Sequence, residues 1–391
     1  MKITNVRTFV ADCFRCNFDF IKIETDEGIY GVGEGTLEHK DNALLGAVED
    51  VKSELIGKDP LNIDDIIFHL YRDSYWRKGP VLNSAISMIE MALWDIKGKY
   101  HGVPVMDLLG GRCREEIRMY ANGWFAGSRK PEEFATKAKA AVEKGVTALK
   151  WDPFGKAYYN LSRQERADAI DCVAAVRDAV GNKIDLLIEC HGRFNVSTGV
   201  QICREMARFD PMFVEEPLPP DDLDGLAEVH RKSPVPLAAG ERIFSIYECK
   251  EFMEKGCADF FQPDISHCGG ISAMKKMAAM ADTHYVTMAP HNPSGPIANA
   301  ATLQMAGNLQ NFHILEIMLT DVDWRGELTT EEVVFNNGYI RIPTKPGLGL
   351  DICEDAIARH PFVPVRLRHY NGTLTDIRPK SATKFYFKGI E

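Results

Sequence analysis

From Ile117 onward the chain repeats one pattern, in which a short apolar run typical of a β-strand is followed by a longer segment with helical periodicity. The strand-like runs cover residues 118–121, 148–151, 185–188, 212–214, 236–238, 259–261, 286–288 and 314–315. Helical patterns between them include residues 131–143, 163–179, 200–208 and 271–281. Eight alternations fit a barrel better than an open sheet. The sequence therefore predicts an α/β fold, a (β/α)8-type (modified TIM) barrel, in residues 117–350.

The first hundred residues follow a different pattern. Residues 18–25 and 28–33 have strand character on either side of a turn, and helical periodicity dominates from residue 43 to residue 100. We therefore predict an α+β capping domain in residues 1–116. The tail, residues 351–391, contains no further repeat and is expected to return to this cap. Because no flexible linker separates the two domains, we expect them to be tightly docked.

Charge and apolar pattern exclude several classes of protein. The formal net charge is −10 with a pI near 5.6, which argues against nucleic-acid binding because that function needs clustered positive charge. The most apolar long stretch, residues 81–96, is interrupted by polar side chains and predicts an amphipathic helix rather than a membrane span. Only Cys13 and Cys16 among the 10 cysteines form a CxxC pair, so reduced thiols in a cytoplasmic protein are expected.

Polar side chains end the apolar runs of the predicted barrel, at the edge where barrel enzymes carry their functional groups. In chain order they are Lys150, Glu189, Glu215, Glu241, Asp264, His291 and Glu316. From Glu189 on, consecutive positions are separated by 26, 26, 23, 27 and 25 residues, which is one strand–helix unit each time. A single glutamate after a strand is usually a helix N-cap or a surface charge. A whole series in phase with the repeat indicates a catalytic site.

Three of these carboxylates, those of Glu189, Glu215 and Glu241, follow consecutive strands. Carboxylates that converge on one point repel each other unless a cation neutralises them. Ligation by oxygen alone favours a hard ion such as Mg²⁺. In the segment FVEEPL, adjacent strand residues face opposite ways, so only one of Glu215 and Glu216 can point into the barrel.

Two histidines complete the predicted chemistry. Asp264 and His291 follow neighbouring strands, and a carboxylate beside an imidazole fixes its tautomer and leaves the other nitrogen available as a base. His191 lies two residues after Glu189 and shares its face, where it would act as an acid or, alternatively, as a supporting or metal-binding group. We assign Lys150, Asp152 and Arg193 to substrate binding.

Several segments resemble the mandelate racemase branch of the enolase superfamily, and the resemblance covers nearly the whole chain. The segment ALWDIKGKYHGVPVMDLLGG (92–111) is similar to that family's junction between cap and barrel. IECHGRFN, FVEEPL, AAGERIFS, QPDISHCGG, APHNPSGP and PTKPGLGL then follow in the family's order. YANGWF, LKWDPFG and IECHGRFN are most similar to gluconate-type and related aldonate dehydratases.

The resemblance implies a role for most of these residues. The three glutamates would bind Mg²⁺, and the His291–Asp264 dyad would be the general base that forms a metal-stabilised ene-diolate, chemistry that is general to this superfamily. Glu316 would hydrogen-bond the substrate carboxylate and support the enolate. His191 would protonate the departing hydroxyl.

Two departures from the family's pattern bear on the reaction. The first metal ligand is usually an aspartate, whereas this chain has Glu189, as gluconate-like members do. Racemases and cycloisomerases of the branch commonly carry Lys-x-Lys on the second strand, whereas this chain has Lys150-Trp151-Asp152. The second lysine, which acts as a base on the other face of the substrate, is therefore missing, and elimination is favoured.

The sequence thus predicts a Mg²⁺-dependent acid sugar dehydratase that abstracts the C2 proton and eliminates the 3-hydroxyl of an aldonate or aldarate. The alternatives are a cycloisomerase or epimerase that uses the same enolate, and a metal-dependent binding protein without activity. Cap loops at residues 13–20 and 76–80 are expected to contact the distal end of the substrate. Neither a nucleic acid nor a membrane is expected as a partner, and barrels of this kind often form homo-oligomers.

Overall fold

The computed structural model describes residues 1–331, 333–366 and 387–390. The chain begins with a three-stranded antiparallel sheet in which the strands follow one another in sequence order. These strands are β1 (Ile3–Asp12), β2 (Asn17–Thr25) and β3 (Tyr30–Glu34). The two strands and the turn that the sequence predicts here are confirmed.

Helices complete the N-terminal part of the chain. They are α1 (Asp41–Leu55), α2 (Ile63–Arg72), α3 (Pro80–His101) and the short α4 (Val105–Leu108). The apolar stretch forms α3 as predicted, but the expectation that this helix is amphipathic is wrong. Residues 83–93 are buried without a break, because α3 packs between the first sheet and the barrel. Among the described residues, no helix is long and apolar enough to cross a membrane.

Eight parallel strands follow, and all eight lie where the sequence predicts them, with ends that differ by a few residues. They are β4 (Glu116–Asn122), β5 (Ala148–Trp151), β6 (Asp185–Glu189), β7 (Phe213–Glu215), β8 (Leu237–Ala239), β9 (Phe260–Phe261), β10 (Thr287–Met288) and β11 (Leu315–Met318). Their spatial order is β10-β9-β8-β7-β6-β5-β4-β11. The backbone N–H of His313, just before β11, donates to Met288 O on β10 at 2.9 Å, which joins the two ends of this order.

A short hairpin adds to the outside of β4. Strands β12 (Phe335–Asn336) and β13 (Tyr339–Arg341) are antiparallel, and β13 pairs with the first half of β4. The sequence analysis did not predict this hairpin, since strands of two and three residues carry too little alternation to be detected.

Helices connect the parallel strands and cover the outside of the sheet. They are α5 (Pro131–Glu143), α6 (Arg163–Val180), α7 (Val196–Met206), α8 (Leu223–Lys232), α9 (Ile246–Lys255), α10 (Gly270–Thr283) and α11 (Pro296–Asn308). The four helices predicted here are present. Helix α7 begins earlier than predicted, because the side chain of Asn195 accepts a hydrogen bond from the N–H of Thr198 and caps the helix.

Part of the C-terminal tail, residues 354–363, lies against the first sheet, whereas Lys388 O accepts from the N–H of Phe335 on β12 at 2.8 Å. Glu354, at the start of helix α12 (Glu354–Arg359), pairs with Arg7 at 2.7 Å and with Lys22 at 2.8 Å. The side chain of Asn17 donates to Val363 O at 3.0 Å. The prediction that the tail returns to the cap also covers residues 367–386 and 391, which lie outside the described residues, and the predicted domain bounds stay a prediction.

Two glutamates of the N-terminal part cap helices of the barrel. Glu90 on α3 accepts hydrogen bonds from the N–H groups of Ile271 (2.7 Å) and Ser272 (2.8 Å) in the first turn of α10. Neither α10 nor α11 has a side-chain cap from its own flanking residue. Gly270 makes the approach of Glu90 sterically feasible, since its φ is +86° and a Cβ there would lie 2.2 Å from Glu90 Oε2.

The second glutamate of this kind is Glu34, at the end of β3. Its Oε2 accepts from the N–H groups of Ile297 (3.1 Å) and Ala298 (3.0 Å) in the first turn of α11. Gly295 precedes this helix, and a Cβ there would lie 2.6 Å from the Glu34 carboxylate. Each buried carboxylate thus satisfies N–H groups that helix geometry leaves without a partner.

We predict that Glu90→Ala lowers the free energy of unfolding by about 2–4 kcal/mol, because it leaves the N–H groups of Ile271 and Ser272 and the Trp94 indole N–H buried without this acceptor. Urea denaturation measures the change. Glu49→Ala, at an exposed position of α1, is the control and should change stability by less than about 0.5 kcal/mol. Equal effects of the two substitutions would contradict the capping role of Glu90.

Candidate active site

The interior of the barrel explains why the polar side chains meet. One layer of buried side chains lies between the strands and comprises Tyr120, Ala148, Leu187, Phe213, Ala238, Ala289 and Ile314. Because side chains alternate along a strand, the residue two positions further on points the same way. Two positions after six of these residues come Asn122, Lys150, Glu189, Glu215, His291 and Glu316. The strands that fill the barrel therefore present these groups together at its C-terminal end.

Glu189, Glu215 and Glu241 form a candidate metal site. One oxygen of each carboxylate lies within 4.8 Å of the others. Among the described residues, no other group of three acidic, histidine or cysteine side chains comes together in this way. Burial raises the pKa of Glu189 to about 7, although Lys150 opposes the shift. Burial and the adjacent Glu189 raise the pKa of Glu215 well above its ordinary value, and Glu215 Oε2 is buried without a hydrogen-bond partner. This donor set fits a hard divalent cation, which would neutralise the carboxylates and complete the contacts of that oxygen.

Lys150 lies directly against this site. Its Nζ is 2.7 Å from Glu215 Oε1, 2.9 Å from Glu316 Oε1 and 3.4 Å from Glu189 Oε2. The side chain is almost completely buried, so its charge acts in a medium of low dielectric. Lys150 therefore lies where an anionic substrate would meet the carboxylates, and its role in substrate binding stays a prediction.

The structure distinguishes Glu215 from Glu216. Glu215 points into the barrel, whereas Glu216 faces the other way and forms an ion pair with Arg242. Arg242 Nε also lies 3.7 Å from Glu241 Oε1. Burial would raise the pKa of Glu241, but His291 and Arg242 outweigh it and lower that pKa to about 2. Sequence reasoning missed Arg242, since an arginine one residue after a strand-end glutamate resembles a solvated charge.

His291 and Asp264 form the predicted dyad. The distance from His291 Nδ1 to Asp264 Oδ2 is 2.8 Å, and the backbone N–H of Ser266 donates to Asp264 Oδ1 at 2.7 Å. His291 Nε2 points into the site, 3.3 Å from Glu241 Oε2. Burial alone would lower the pKa of His291, but Glu241, Glu316 and Asp264 outweigh it and raise the pKa to about 10. A cation bound by Glu241 would oppose this increase and favour the neutral, basic imidazole.

His191 forms a second dyad, with Asp152. The distance from His191 Nδ1 to Asp152 Oδ2 is 2.7 Å, and the His191 backbone N–H donates to Glu189 Oε1 at 2.6 Å. Burial would raise the pKa of Asp152, but Arg193 and His191 outweigh it and lower that pKa. Sequence reasoning named both residues of this pair but did not foresee that they touch.

The structure gives no support to the expectation that Arg193 binds substrate. Its side chain is completely buried, and its guanidinium donates to the backbone oxygens of Cys190 (2.9 Å), Gly155 (3.1 Å) and Ala157 (3.3 Å) and to Asp152. The structure gives none to the assignment of Asp152 to substrate binding either, because the carboxylate is buried between Arg193 and His191. Both residues contact the loop that carries His191.

Glu316 lies at the end of the site opposite Arg242. Its Oε1 accepts from Asn122 Nδ2 at 2.7 Å, and its Oε2 accepts from the N–H of Asn292 at 3.2 Å. Burial would raise its pKa, but Lys150 and His291 outweigh it and lower that pKa. Asn122 was missed, although the rule that found the other residues, a polar side chain at the end of each strand, would have included it.

The two predicted cap loops differ in their position. On the first, Arg15 is buried and donates to Pro293 O at 2.7 Å, two residues after His291. On the second, Trp76 is 83% exposed and does not cover the site as it stands. Their contact with substrate stays a prediction.

Comparison with known proteins identifies the family. Residues 6–110 match the N-terminal domain of the mandelate racemase / muconate lactonizing enzyme family, and residues 133–356 match the enolase C-terminal domain-like family. A D-galactonate dehydratase of Variovorax paradoxus (strain S110) is 38% identical over 364 residues, which cover 91% of this chain and 94% of that protein. A D-gluconate dehydratase of Thermoproteus tenax is 33% identical over 346 residues, which cover 88% of this chain and 70% of that protein.

Solved structures agree with this relationship. A member of the enolase superfamily from Salmonella Typhimurium superposes with a TM-score of 0.88 at 32% identity, over 92% of this chain and 98% of that one. A mandelate racemase/muconate lactonizing enzyme from Jannaschia sp. CCS1 superposes with a TM-score of 0.87 at 28% identity, over 94% of this chain and 99% of that one. The chain thus belongs to the enolase superfamily, in its mandelate racemase and muconate lactonizing enzyme branch.

Proposed function

We propose that this protein is a Mg²⁺-dependent acid sugar dehydratase, a hydro-lyase that converts an aldonate or aldarate into a 2-keto-3-deoxy sugar acid. The observation that carries the proposal is the pair of imidazole–carboxylate dyads, His291–Asp264 and His191–Asp152, on either side of an acidic cluster in strand order. Elimination of water needs one group to take a proton and another to give one. Relatives that act as D-galactonate and D-gluconate dehydratases support this class of substrate.

His291 is the proposed base. Its Nε2 faces the acidic cluster while Nδ1 is bound to Asp264, so the neutral ring can accept the C2 proton of a substrate placed over the cluster. The electron pair left on C2 spreads onto the substrate carboxylate, where Lys150 provides positive charge. When bound by Glu189, Glu215 and Glu241, the divalent metal would supply further positive charge at that carboxylate.

His191 is the proposed acid. It donates its Nε2 proton to the 3-hydroxyl as the C3–O bond breaks, and water leaves. The electron pair from C2 forms the C2–C3 double bond, and the resulting enol ketonises to the 2-keto acid. Glu316, Asn122 and Lys150 form one hydrogen-bonded group that would orient the substrate carboxylate. Because an ionised carboxylate only accepts hydrogen bonds, Glu316 would have to take up a proton before it could donate one to the substrate carboxylate.

The alternative, a cycloisomerase or epimerase, has less support. Two-base epimerisation in this branch relies on a lysine at the position of Asp152, and here that carboxylate is bound by Arg193 and His191. The enolate is common to both reactions, so only the product separates them.

The function predicts a metal-dependent product. Incubation with a set of aldonic and aldaric acids and Mg²⁺ should yield a 2-keto acid that reacts with semicarbazide, and EDTA should abolish it. Exchange of the C2 proton with D₂O without formation of a keto acid would instead favour the cycloisomerase or epimerase.

Removal of the base should stop the reaction at its first step. His291→Asn is expected to lower kcat at least about 10³-fold, since the substrate then has no group positioned to accept the C2 proton. His284→Asn, at an exposed position, is the control and should leave kcat unchanged. Activity of the His291 variant near that of the control would refute the assignment.

Metal binding can be tested apart from activity. At a Mg²⁺ concentration of about 100 Kd, binding should stabilise the folded chain by about 2.7 kcal/mol, which thermal denaturation detects. Glu215→Gln should lose this increment, whereas Glu216→Gln should keep it, because Glu216 faces Arg242 rather than the cluster. The increment, not the absolute Tm, is compared, since the loss of the Arg242 pair lowers stability by itself. Equal increments in both variants would contradict the proposed ligand set.

A further inference from the structure

Asp152 belongs to the second dyad but neither gives nor takes a proton in the proposed reaction. It follows β5 two residues after Lys150, yet its carboxylate faces neither the acidic cluster nor solvent. It contacts His191 Nδ1 at 2.7 Å and the guanidinium of Arg193, and its side chain is 5% exposed. A buried carboxylate held between an arginine and a histidine is well placed to act through that histidine.

We propose that Asp152, fixed by Arg193, is the positioning residue that holds His191 with Nε2 directed to the leaving group, so that only the departure of the hydroxyl depends on it. This inference rests on the proposed dehydratase function. Under this assignment the His291–Asp264 dyad serves removal of the C2 proton, and the His191–Asp152 dyad serves departure of the hydroxyl.

The geometry of the His191 loop supports this role. His191 has a φ of +49°, a conformation that non-glycine residues rarely adopt, and its backbone N–H is bound to Glu189. The backbone thus carries the ring to the edge of the acidic cluster. Because Nδ1 is engaged by Asp152, Nε2 is the nitrogen that can serve a substrate.

Arg193 makes the position of Asp152 rigid. It is completely buried and bonds to backbone oxygens on the loop after β5 (Gly155 and Ala157) and on the loop after β6 (Cys190). The arginine therefore ties together the two loops that carry the members of the dyad. The His291–Asp264 dyad has the same arrangement, with a carboxylate after one strand and an imidazole after the next, but the backbone N–H of Ser266 rather than an arginine holds its carboxylate.

The structure also indicates which substitution tests this contact. One oxygen of Asp152, Oδ2, contacts both His191 Nδ1 and the guanidinium of Arg193, while Oδ1 accepts from the N–H of Phe154 at 2.9 Å. An amide could keep its oxygen at the shared position, so Asp152→Asn would preserve the hydrogen bond to His191. Asp152→Ala removes that bond, and the ring then loses the group that fixes its orientation and its tautomer.

The test compares two leaving groups. With a hydroxy acid substrate, Asp152→Ala should lower kcat by about 10²–10³-fold, within the range of general acid catalysis. With the 3-deoxy-3-fluoro analogue, fluoride leaves as an anion without a proton from His191, and the variant should eliminate it within about threefold of the wild-type rate. Asp264→Asn should slow both substrates, because it disturbs removal of the C2 proton. Asp168→Asn, exposed on α6, is the control. An equal loss with both leaving groups would overturn the proposal.

A double variant tests whether Asp152 acts through His191. Asp152→Ala combined with His191→Asn should be no slower than His191→Asn alone, whereas a merely structural effect would add to it. If Asp152→Ala does not fold, Arg193→Lys keeps the charge, removes the planar fork and should show the same selective loss with the hydroxy acid.

A third measurement does not depend on activity. Nitrogen-15 NMR of labelled histidines should place a proton on Nδ1 of His191 in the wild type, and the fraction of molecules with this proton should fall in Asp152→Ala. An unchanged Nδ1 signal would overturn the positioning role. If no sugar acid yields a keto acid, the proposed function fails, while the NMR result still decides what Asp152 does to His191.

Discussion

Three carboxylates at the ends of consecutive strands, two buried and that of Glu241 partly exposed, create a concentration of negative charge that the rest of the site must compensate. Lys150 provides part of that compensation, because its ammonium lies between Glu189, Glu215 and Glu316. A buried lysine is stable only when it is paired, and a buried carboxylate likewise, so each group depends on the others. His291 lies against Glu241, and Arg242 forms an ion pair with Glu216, so these two side chains offset further negative charge. The same mutual dependence is consistent with the proposed binding of a cation together with an anionic substrate.

Much of the fold and of the site could be predicted from the sequence, because both follow from strand periodicity. A polar residue two positions beyond a buried interior residue must point into the mouth of the barrel, and Glu189, Glu215, His291 and Glu316 obey this rule. Helix α3 was misjudged as amphipathic because its polar side chains, Glu90 among them, are buried against partners that are distant in sequence. Local patterns show which residues are polar but not whether a partner will cover them.

The pairs within the site were the hardest part to foresee. Arg193 begins a segment that leads into a helix, where arginines are usually solvated, and nothing local indicates that it turns inward to the loop after β5. The contact between Asp152 and His191 joins residues on neighbouring strands, and the register between those strands decides whether they meet. Asp264 and His291 also follow neighbouring parallel strands. The contact between Asp152 and His191 could therefore have been inferred from the predicted contact between Asp264 and His291.

The capping of α10 and α11 by Glu90 and Glu34 bears on how this architecture changes during evolution. These two helices follow the strands that carry Asp264 and His291, and their first turns are completed by carboxylates from the other domain. A barrel separated from its cap would expose two incomplete helix ends near Asp264 and His291. Exchange of caps between relatives, whether by recombination or by design, would therefore have to conserve a hydrogen-bond acceptor at both positions.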